Sequence, residues 1–112
     1  MHEDGKIDYL EFPASDLAPT KAFYAAAFGW SFVDYGPAYA AFEGAGIDGG
    51  FNAHDAEPAP LVILWANDLE AMQARIEAAG GRIVRPIFSF PGGRRFHFRD
   101  PAGNVLGVWK AD

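Results

Sequence analysis

Apolar residues alternate with polar ones in some segments of the chain and recur at helical spacing in others. Residues 7–12 alternate as in a β-strand, and the apolar residues that follow are spaced by three or four up to Gly29. Ser15 or Asp16 can cap the helix that this spacing predicts, and Gly29 supplies its stop, so the helix should end at Phe28. Three short strands are predicted after it, at Trp30–Tyr35, Tyr39–Glu43 and Ile47–Ala53.

The second half of the chain repeats the first at a distance of 52 residues. Residues 67–69 repeat residues 15–17 at this distance, and Tyr9 corresponds in the same way to Leu61. Farther along the distance grows to 57, which predicts about five extra residues in a hairpin of the second copy. The elements predicted for that copy are a strand Leu61–Trp65, a helix Asp68–Ala79, and strands Arg82–Pro86, Arg94–Arg99 and Asn104–Trp109.

We therefore predict an α+β fold made of two tandem βαβββ modules. Their mixed sheets should curve around a shared cavity, with the helices on the outer face. The prediction is a single domain over residues 1–112, with module one at about 6–53, a linker at about 52–60 and module two at about 61–110.

Four short motifs make the chain resemble a known superfamily. They are FPASDL at 12–17, KAFY at 21–24, FGW at 28–30 and DPAGN at 100–104. In this order, on duplicated modules, they are similar to the glyoxalase/bleomycin-resistance/extradiol-dioxygenase superfamily, also called vicinal oxygen chelate proteins. The resemblance implies the same fold, and it implies a homodimer.

Enzymes of that superfamily usually hold a divalent metal with one ligand from the first strand and one from the last strand of each copy. The matching positions here are Tyr9, Gly50, Leu61 and Gly107. Leucine and glycine side chains offer a metal no donor atom. We therefore expect no divalent metal or other cofactor, and whether the chain is an enzyme stays open.

Strand alternation predicts which side chains face the cavity. In the strand at 94–99, Phe96 and Phe98 should pack beneath the helix, so Arg95 and His97 should point to the opposite side. We expect the other two histidines, His2 in a frayed N-terminus and His54 in the linker, to have no functional role.

In the first strand the same alternation leaves Tyr9 and Glu11 facing away from the helix. A carboxylate out of water needs a partner, so Glu11 should be solvated, paired with an arginine, or raised in pKa. A raised pKa would make Glu11 a candidate general base, with His97 as its candidate catalytic companion.

Aromatic side chains should enrich the cavity wall, because Trp65 and Trp109 fall on inward positions, with Tyr9 and Phe51 near in some arrangements. Such walls suit a planar organic molecule. The open alternative is that both tryptophans fill a core or a subunit interface. The predicted ligand-binding residues are Tyr9, Glu11, Trp65, Arg95, His97 and Trp109.

Composition and charge narrow the class of protein. The 9 basic and 15 acidic residues give a net charge of −6, which disfavours nucleic acid, and Arg94, Arg95 and Arg99 suit a small anion better than a duplex. The absence of cysteine excludes thiol chemistry and fits a reducing compartment. Without a membrane-length apolar stretch or a secretion signal in the sequence, a cytoplasmic protein is expected.

Three functions remain open from the sequence. The first is a metal-free protein that binds a small organic ligand, similar in kind to the bleomycin-binding resistance proteins. The second is a lyase, isomerase or dioxygenase relative that uses Glu11 as base and His97 with Arg95 to stabilise negative charge. The third is a structural or regulatory dimer without a small ligand.

Overall fold

The computed structural model describes residues 2–54 and 57–112. Two residues of the predicted linker, 55 and 56, lie outside the described residues. The order of elements is βαβββ twice, as the sequence predicts: β1 (Ile7–Pro13), α1 (Leu17–Phe28), β2 (Ser31–Asp34), β3 (Tyr39–Glu43), β4 (Gly49–Asn52), β5 (Leu61–Trp65), α2 (Leu69–Ala78), β6 (Arg82–Phe90), β7 (Gly93–Arg99) and β8 (Val105–Ala111). The α+β fold class is therefore confirmed.

The chain forms two compact units. The N-terminal unit is Tyr9–Leu61, and the C-terminal unit combines residues 2–8 with Val62–Asp112. The first residues of the chain therefore group with the second module. The backbone N–H of Gly5 donates to the carbonyl of Trp65 at 2.8 Å, and the N–H of Trp65 donates to Lys6 at 3.1 Å.

In the N-terminal unit the strands lie in the order β2, β3, β4, β1, with β4 parallel to β1 and the other pairs antiparallel. Helix α1 ends at Gly29, whose φ of 75° is the left-handed conformation predicted for a helix stop. None of its residues is buried. The helix is instead held by ring contacts, such as Tyr24 stacked on Trp30 at 4.7 Å and tilted against Phe51 at 5.1 Å.

In the C-terminal unit the order is β5, β8, β7, β6, with β5 parallel to β8. Helix α2 begins after Asp68, whose carboxylate accepts the N–H of Ala71 at 3.0 Å. The helix buries Leu69 and Met72. These side chains share one apolar core with Ala66, Phe96, Phe98 and Val108. The alternation predicted for β7, with its phenylalanines under the helix, is confirmed.

Strand β6 is longer than predicted, because it continues past Pro86 to Phe90. Its pairing with β7 shifts register between Ile83 and Arg85 and again between Arg85 and Phe88. Proline lacks the N–H of a ladder bond, but the outermost strand of a sheet tolerates it at such irregularities. The extra residues of the second copy therefore lengthen the strands of a hairpin.

Neither helix of the residues that the structure describes is long and apolar enough to cross a membrane.

Candidate functional site

The face of the C-terminal sheet that lies opposite α2 carries two rows of paired residues. We call this surface the aromatic face. One row runs Trp65, Trp109, Arg95, Phe88, and the second runs Ile63, Gly107, His97, Arg85. Residues paired directly across strands point to the same side of a sheet. Four residues of the predicted ligand-binding set, Trp65, Trp109, Arg95 and His97, therefore share one surface.

Trp65 and Trp109 meet at a right angle, and we call this pair the tryptophan corner. Their ring centroids are 5.1 Å apart and their planes are 88° apart. Trp65 Nε1 donates to Asn67 Oδ1 at 2.9 Å, and Trp109 Nε1 donates to Asp8 Oδ2 at 2.8 Å. Both indoles are thus fixed in position by their N–H groups, as buried tryptophans usually are.

His2 lies in the tryptophan corner, which corrects the expectation that it belongs to a frayed N-terminus. Its imidazole is stacked on Trp65, with centroids 3.9 Å apart and planes at 9°, and stands edge-on to Trp109 at 5.5 Å. Its Nδ1 is 2.8 Å from Asp8 Oδ1. The Asp8 carboxylate can only accept, so Nδ1 is the donor of this bond.

Phe88 is the centre of a second group of contacts on the aromatic face. The Arg85 guanidinium lies 3.8 Å from the Phe88 ring centroid, and that of Arg95 lies 5.4 Å from the rings of Phe88 and Phe90. His97 is 1% exposed and meets Phe88 edge-on at 5.7 Å. Guanidinium groups over ring faces are attracted by the ring quadrupole.

The three arginines expected to suit a small anion are not grouped. Arg94 donates to Glu70 Oε2 of α2 at 2.8 Å, which raises the pKa of Arg94 and lowers that of Glu70. Arg95 belongs to the aromatic face, and Arg99 is exposed at the end of β7. Successive residues of a strand point to opposite sides, so Arg94 and Arg95 cannot act on one ion.

In the N-terminal unit, Glu11 and Tyr9 are joined through a residue that the sequence did not single out. The Tyr39 hydroxyl donates to Glu11 Oε2 at 3.0 Å and lies 2.8 Å from the Tyr9 hydroxyl. Tyr39 has one proton, which it gives to Glu11, so Tyr9 must donate to Tyr39. We call this the Tyr–Tyr–Glu chain. The Glu11 side chain that accepts it is buried, at 4% exposure.

Both phenols of this chain resist ionisation. Burial raises the pKa of Tyr9 to about 12, against a lowering by its hydrogen bond with Tyr39. Burial also raises the pKa of Tyr39, and the nearby Glu11 carboxylate raises it further. Tyr9 and Tyr39 therefore stay protonated at neutral pH and act as hydrogen-bond donors.

Tyr39 also occupies the space in which a side chain at Gly50 would lie. A Cβ atom built on Gly50 would be 2.6 Å from Tyr39 Cε1 and 2.7 Å from its hydroxyl oxygen. Gly50 pairs with Glu11 across β4 and β1, so it faces the same side as the carboxylate. The absence of a side chain at this position therefore gives the Tyr39 phenol its place beside Glu11.

The residues at the four positions where the superfamily usually carries metal ligands do not fit a divalent cation. The phenol of Tyr9 is protonated, the place of a Gly50 side chain is filled by Tyr39, and Leu61 and Gly107 carry no donor. Among the described residues, no three His, Cys, Asp or Glu side chains come together as a metal site would require.

Two of the residues that build these arrangements were missed from the sequence. No pattern in the sequence placed Tyr39 beside Glu11, because that contact depends on the register of β3, β4 and β1. No pattern pointed to His2 either, because Trp65, on which its ring is stacked, is far from it in the sequence.

Comparison with known proteins gives one family. Residues 6–108 match the model of the Glyoxalase/Bleomycin resistance protein/Dioxygenase superfamily. CFP32 of Mycobacterium bovis is 23% identical over 124 aligned positions, which cover 99% of this chain and 48% of CFP32. The anthracycline biosynthesis protein DauV of Streptomyces sp. (strain C5) is 28% identical over 129 positions, covering 95% of this chain and 47% of DauV. The chain thus spans about half the length of these relatives.

Solved structures show the same fold. The Mn(II)-bound glyoxalase of Novosphingobium aromaticivorans is 25% identical with a TM-score of 0.70, covering 97% of this chain and 40% of that one. The methylmalonyl-CoA epimerase of Mycobacterium tuberculosis is 16% identical with a TM-score of 0.74, covering 100% of this chain and 91% of that one.

Proposed function

This chain belongs to the Glyoxalase/Bleomycin resistance protein/Dioxygenase superfamily, and from that premise we propose that it binds a small planar organic molecule without a metal cofactor. The proposed site is the aromatic face of the C-terminal unit. The observation that carries the proposal is the tryptophan corner, where two indoles at 88° stand beside the Asp8 carboxylate.

The chemistry of the corner supports a flat ligand. Stacking on one indole and edge contact with the other adds attraction to the burial of apolar area, and a polar group beside the rings fixes the ligand's orientation. Arg95 is the next residue in the same row after Trp109, so a guanidinium lies along the surface that a larger ring system would cover. Aromatic area with a few polar groups is the usual composition of a small-molecule site.

The residues at the four usual metal-ligand positions support binding without a metal. The positions that hold ligands elsewhere in the superfamily carry protonated phenol, leucine and glycine here. The Tyr39 hydroxyl also donates a hydrogen bond to the buried Glu11 carboxylate, which lies beside Gly50. We therefore propose that no divalent metal or other cofactor takes part.

The experiment is a titration of chelator-treated protein with the anthracycline daunorubicin, followed by quenching of tryptophan fluorescence. Its fused rings are flat, and DauV is an anthracycline biosynthesis protein. We expect saturable binding in the micromolar range, which corresponds to about 8 kcal/mol. Added Mn²⁺, Ni²⁺ or Zn²⁺ should leave the affinity unchanged.

Trp30 supplies the matched control, since it is the one tryptophan of the N-terminal unit. Trp109→Leu should weaken binding by about tenfold, the size expected for one lost ring contact, while Trp30→Leu should not. Equal effects of the two substitutions, or binding that appears only with a metal, would refute the proposal.

A second candidate function is proton abstraction from the bound molecule by Glu11. The observation in its favour is the orientation of a buried carboxylate by the Tyr39 hydroxyl. It predicts that a bound compound with an acidic C–H exchanges that hydrogen in D₂O, observed by NMR, and that Glu11→Gln abolishes the exchange. Binding without hydrogen exchange would exclude proton abstraction and would support the binding function only.

We also propose that the chain acts as a cytoplasmic homodimer. Phe23 and Phe28 of α1 are exposed, and an open groove of about 490 Å³ lies beside this helix, lined by Phe12, Tyr24 and Phe51 among others. Exposed aromatic surface of this kind is typical of protein contacts. Light scattering of the purified protein should give twice the mass of 12.1 kDa. A monomeric mass would exclude the dimer.

A further inference from the structure

The imidazole of His2 already makes the contacts that the tryptophan corner offers to a ligand. It lies flat on Trp65 at 3.9 Å and edge-on to Trp109, and its Nδ1–H is directed at Asp8. These are the three contacts expected of a bound flat ring with one N–H group. The corner is therefore shaped for such a ring and holds one from its own chain.

The Asp8 carboxylate restricts which rings the tryptophan corner can bind. Its Oδ2 accepts the Trp109 indole N–H and its Oδ1 accepts the His2 N–H, and its side chain is only 10% exposed. If His2 left, Oδ1 would lose its donor in a poorly solvated position, which is unfavourable for a carboxylate. A replacement ring that brings an N–H of its own is therefore favoured over one that does not, and a cationic ring would also gain the charge of Asp8.

His2 is held less firmly than the residues that follow it. Its side chain is 46% exposed, and among the described residues its hydrogen-bond partner is Asp8. From Asp4 onward the segment is fixed, because Asp4 Oδ1 accepts the N–H of Asn67 at 2.9 Å and the N–H of Gly5 binds the Trp65 carbonyl. The Glu3 carbonyl accepts the N–H of Lys6 at 3.1 Å, so the corner opens when the His2 ring turns away from Trp65 while these bonds stay in place.

We propose that His2 is a built-in occupant of the tryptophan corner, which a flat heteroaromatic ligand with an N–H group displaces. The inference rests on the proposed function and adds to it the class of ligand, an azole or a fused azole such as benzimidazole. It also gives the N-terminal segment a regulatory role. The apparent affinity of the site is lowered by the fraction of molecules in which His2 occupies the corner.

The test compares benzimidazole binding to the wild-type protein and to His2→Ala and His54→Ala, by tryptophan fluorescence. His54 is the matched control, since its side chain is exposed and lies in the other unit. We expect His2→Ala to bind benzimidazole at least about tenfold more tightly than the other two proteins, because no competitor has to be displaced. Equal or weaker binding to His2→Ala would overturn the proposal.

Displacement can be observed directly by NMR. The ring protons of His2, assigned by their loss in His2→Ala, should be shifted upfield by the Trp65 ring current and should return to ordinary positions as benzimidazole is added. Ring protons that keep their upfield shift in the saturated complex would show that the ligand binds elsewhere, and that result also overturns the proposal.

A comparison of two ligands tests whether the bound ring needs an N–H group. Neutral 1-methylbenzimidazole has the same flat rings without the N–H, and we expect His2→Ala to bind it at least about fivefold more weakly than benzimidazole. Equal affinities would overturn the proposed class of ligand.

The outcomes separate this inference from the function on which it rests. If daunorubicin binds the wild-type protein at Trp109 while His2→Ala gains nothing for benzimidazole, the proposed function stands and the inference about His2 fails. If neither compound binds any of the proteins, His2→Ala included, the proposed function itself fails.

Discussion

The two units have the same order of elements, but different interactions stabilise each of them internally. In the C-terminal unit, α2 buries Leu69 and Met72 in a continuous apolar core. In the N-terminal unit, α1 buries no residue and is held by ring contacts. One βαβββ pattern therefore fixes the path of the chain but allows different kinds of packing to stabilise it.

The sheet faces differ as much as the helices. The N-terminal unit carries the Tyr–Tyr–Glu chain, in which each hydroxyl has a defined donor role. The C-terminal unit carries the tryptophan corner and the contacts of Phe88 with guanidinium groups. A polar network specifies a single arrangement of its members, whereas ring surfaces accept a range of flat partners.

The largest expected difference concerns two leucines at equivalent places in the helices. Leu69→Ala should cost about 2–5 kcal/mol of unfolding free energy, because Leu69 is fully buried in the core of its unit. Leu17, 52 positions earlier, is only half-buried, so Leu17→Ala should cost less than about 2 kcal/mol. Urea unfolding followed by circular dichroism measures both. Equal costs would contradict the difference between the helices.

The next difference lies within the Tyr–Tyr–Glu chain. Tyr39→Phe removes a hydrogen bond to the buried Glu11 carboxylate and should cost about 1.5–3 kcal/mol. Tyr9→Phe leaves that bond in place and should cost about 0.5–1.5 kcal/mol. The same urea experiment decides between them, and a larger loss for Tyr9→Phe would mean that the order of donors assigned here is wrong.

A smaller difference is expected at the two helix N-termini. Asp68→Ala should cost about 1 kcal/mol, since the Asp68 carboxylate caps the N-terminus of α2 through the N–H of Ala71. Asp16→Ala should have little effect, because the Asp16 side chain makes no capping bond. Thermal melting of the two variants tests this. A comparable loss in Asp16→Ala would place an interaction at α1 that the structure does not show.

The last effect is absent at neutral pH and appears only in alkali. The pKa of Tyr9 is raised to about 12 from 10.0, so the unfolded chain loses this proton first as pH rises. Stability that depends on the protonated phenol is complete below pH 10 and declines between pH 10 and about 12. Unfolding midpoints across this range should fall less steeply in Tyr9→Phe than in the wild-type protein. Parallel curves would exclude the raised pKa.

The sequence predicted the elements better than the site. Strands β3 and β5 begin and end at the residues predicted from the alternation of the sequence. Every second residue of these strands is buried, which makes the alternation regular. The end of β6 was missed, since Pro86 signals a break that an outermost strand can absorb. The faces of Phe96 and Phe98 followed from the same alternation that placed their neighbours on the opposite side.

The candidate site was predicted only where a single strand determines it. Trp65 and Trp109 were assigned to one surface correctly, because each belongs to a strand with a clear pattern. Tyr39 beside Glu11 depends on the register between strands, and His2 on Trp65 depends on a turn near Gly5. Contacts of this kind arise from packing between distant segments, which a one-dimensional pattern does not encode.

The irregular pairing of β6 has a consequence for solutions of the protein at high concentration. A long, regular outermost strand exposes a ladder of unused N–H and C=O groups that can recruit further chains into fibrils. Pro86 and the two register shifts interrupt that ladder in β6, and β2, the outermost strand of the N-terminal unit, is only four residues long. Neither strand offers a template for cross-β growth, so the folded protein should remain free of amyloid when it is concentrated.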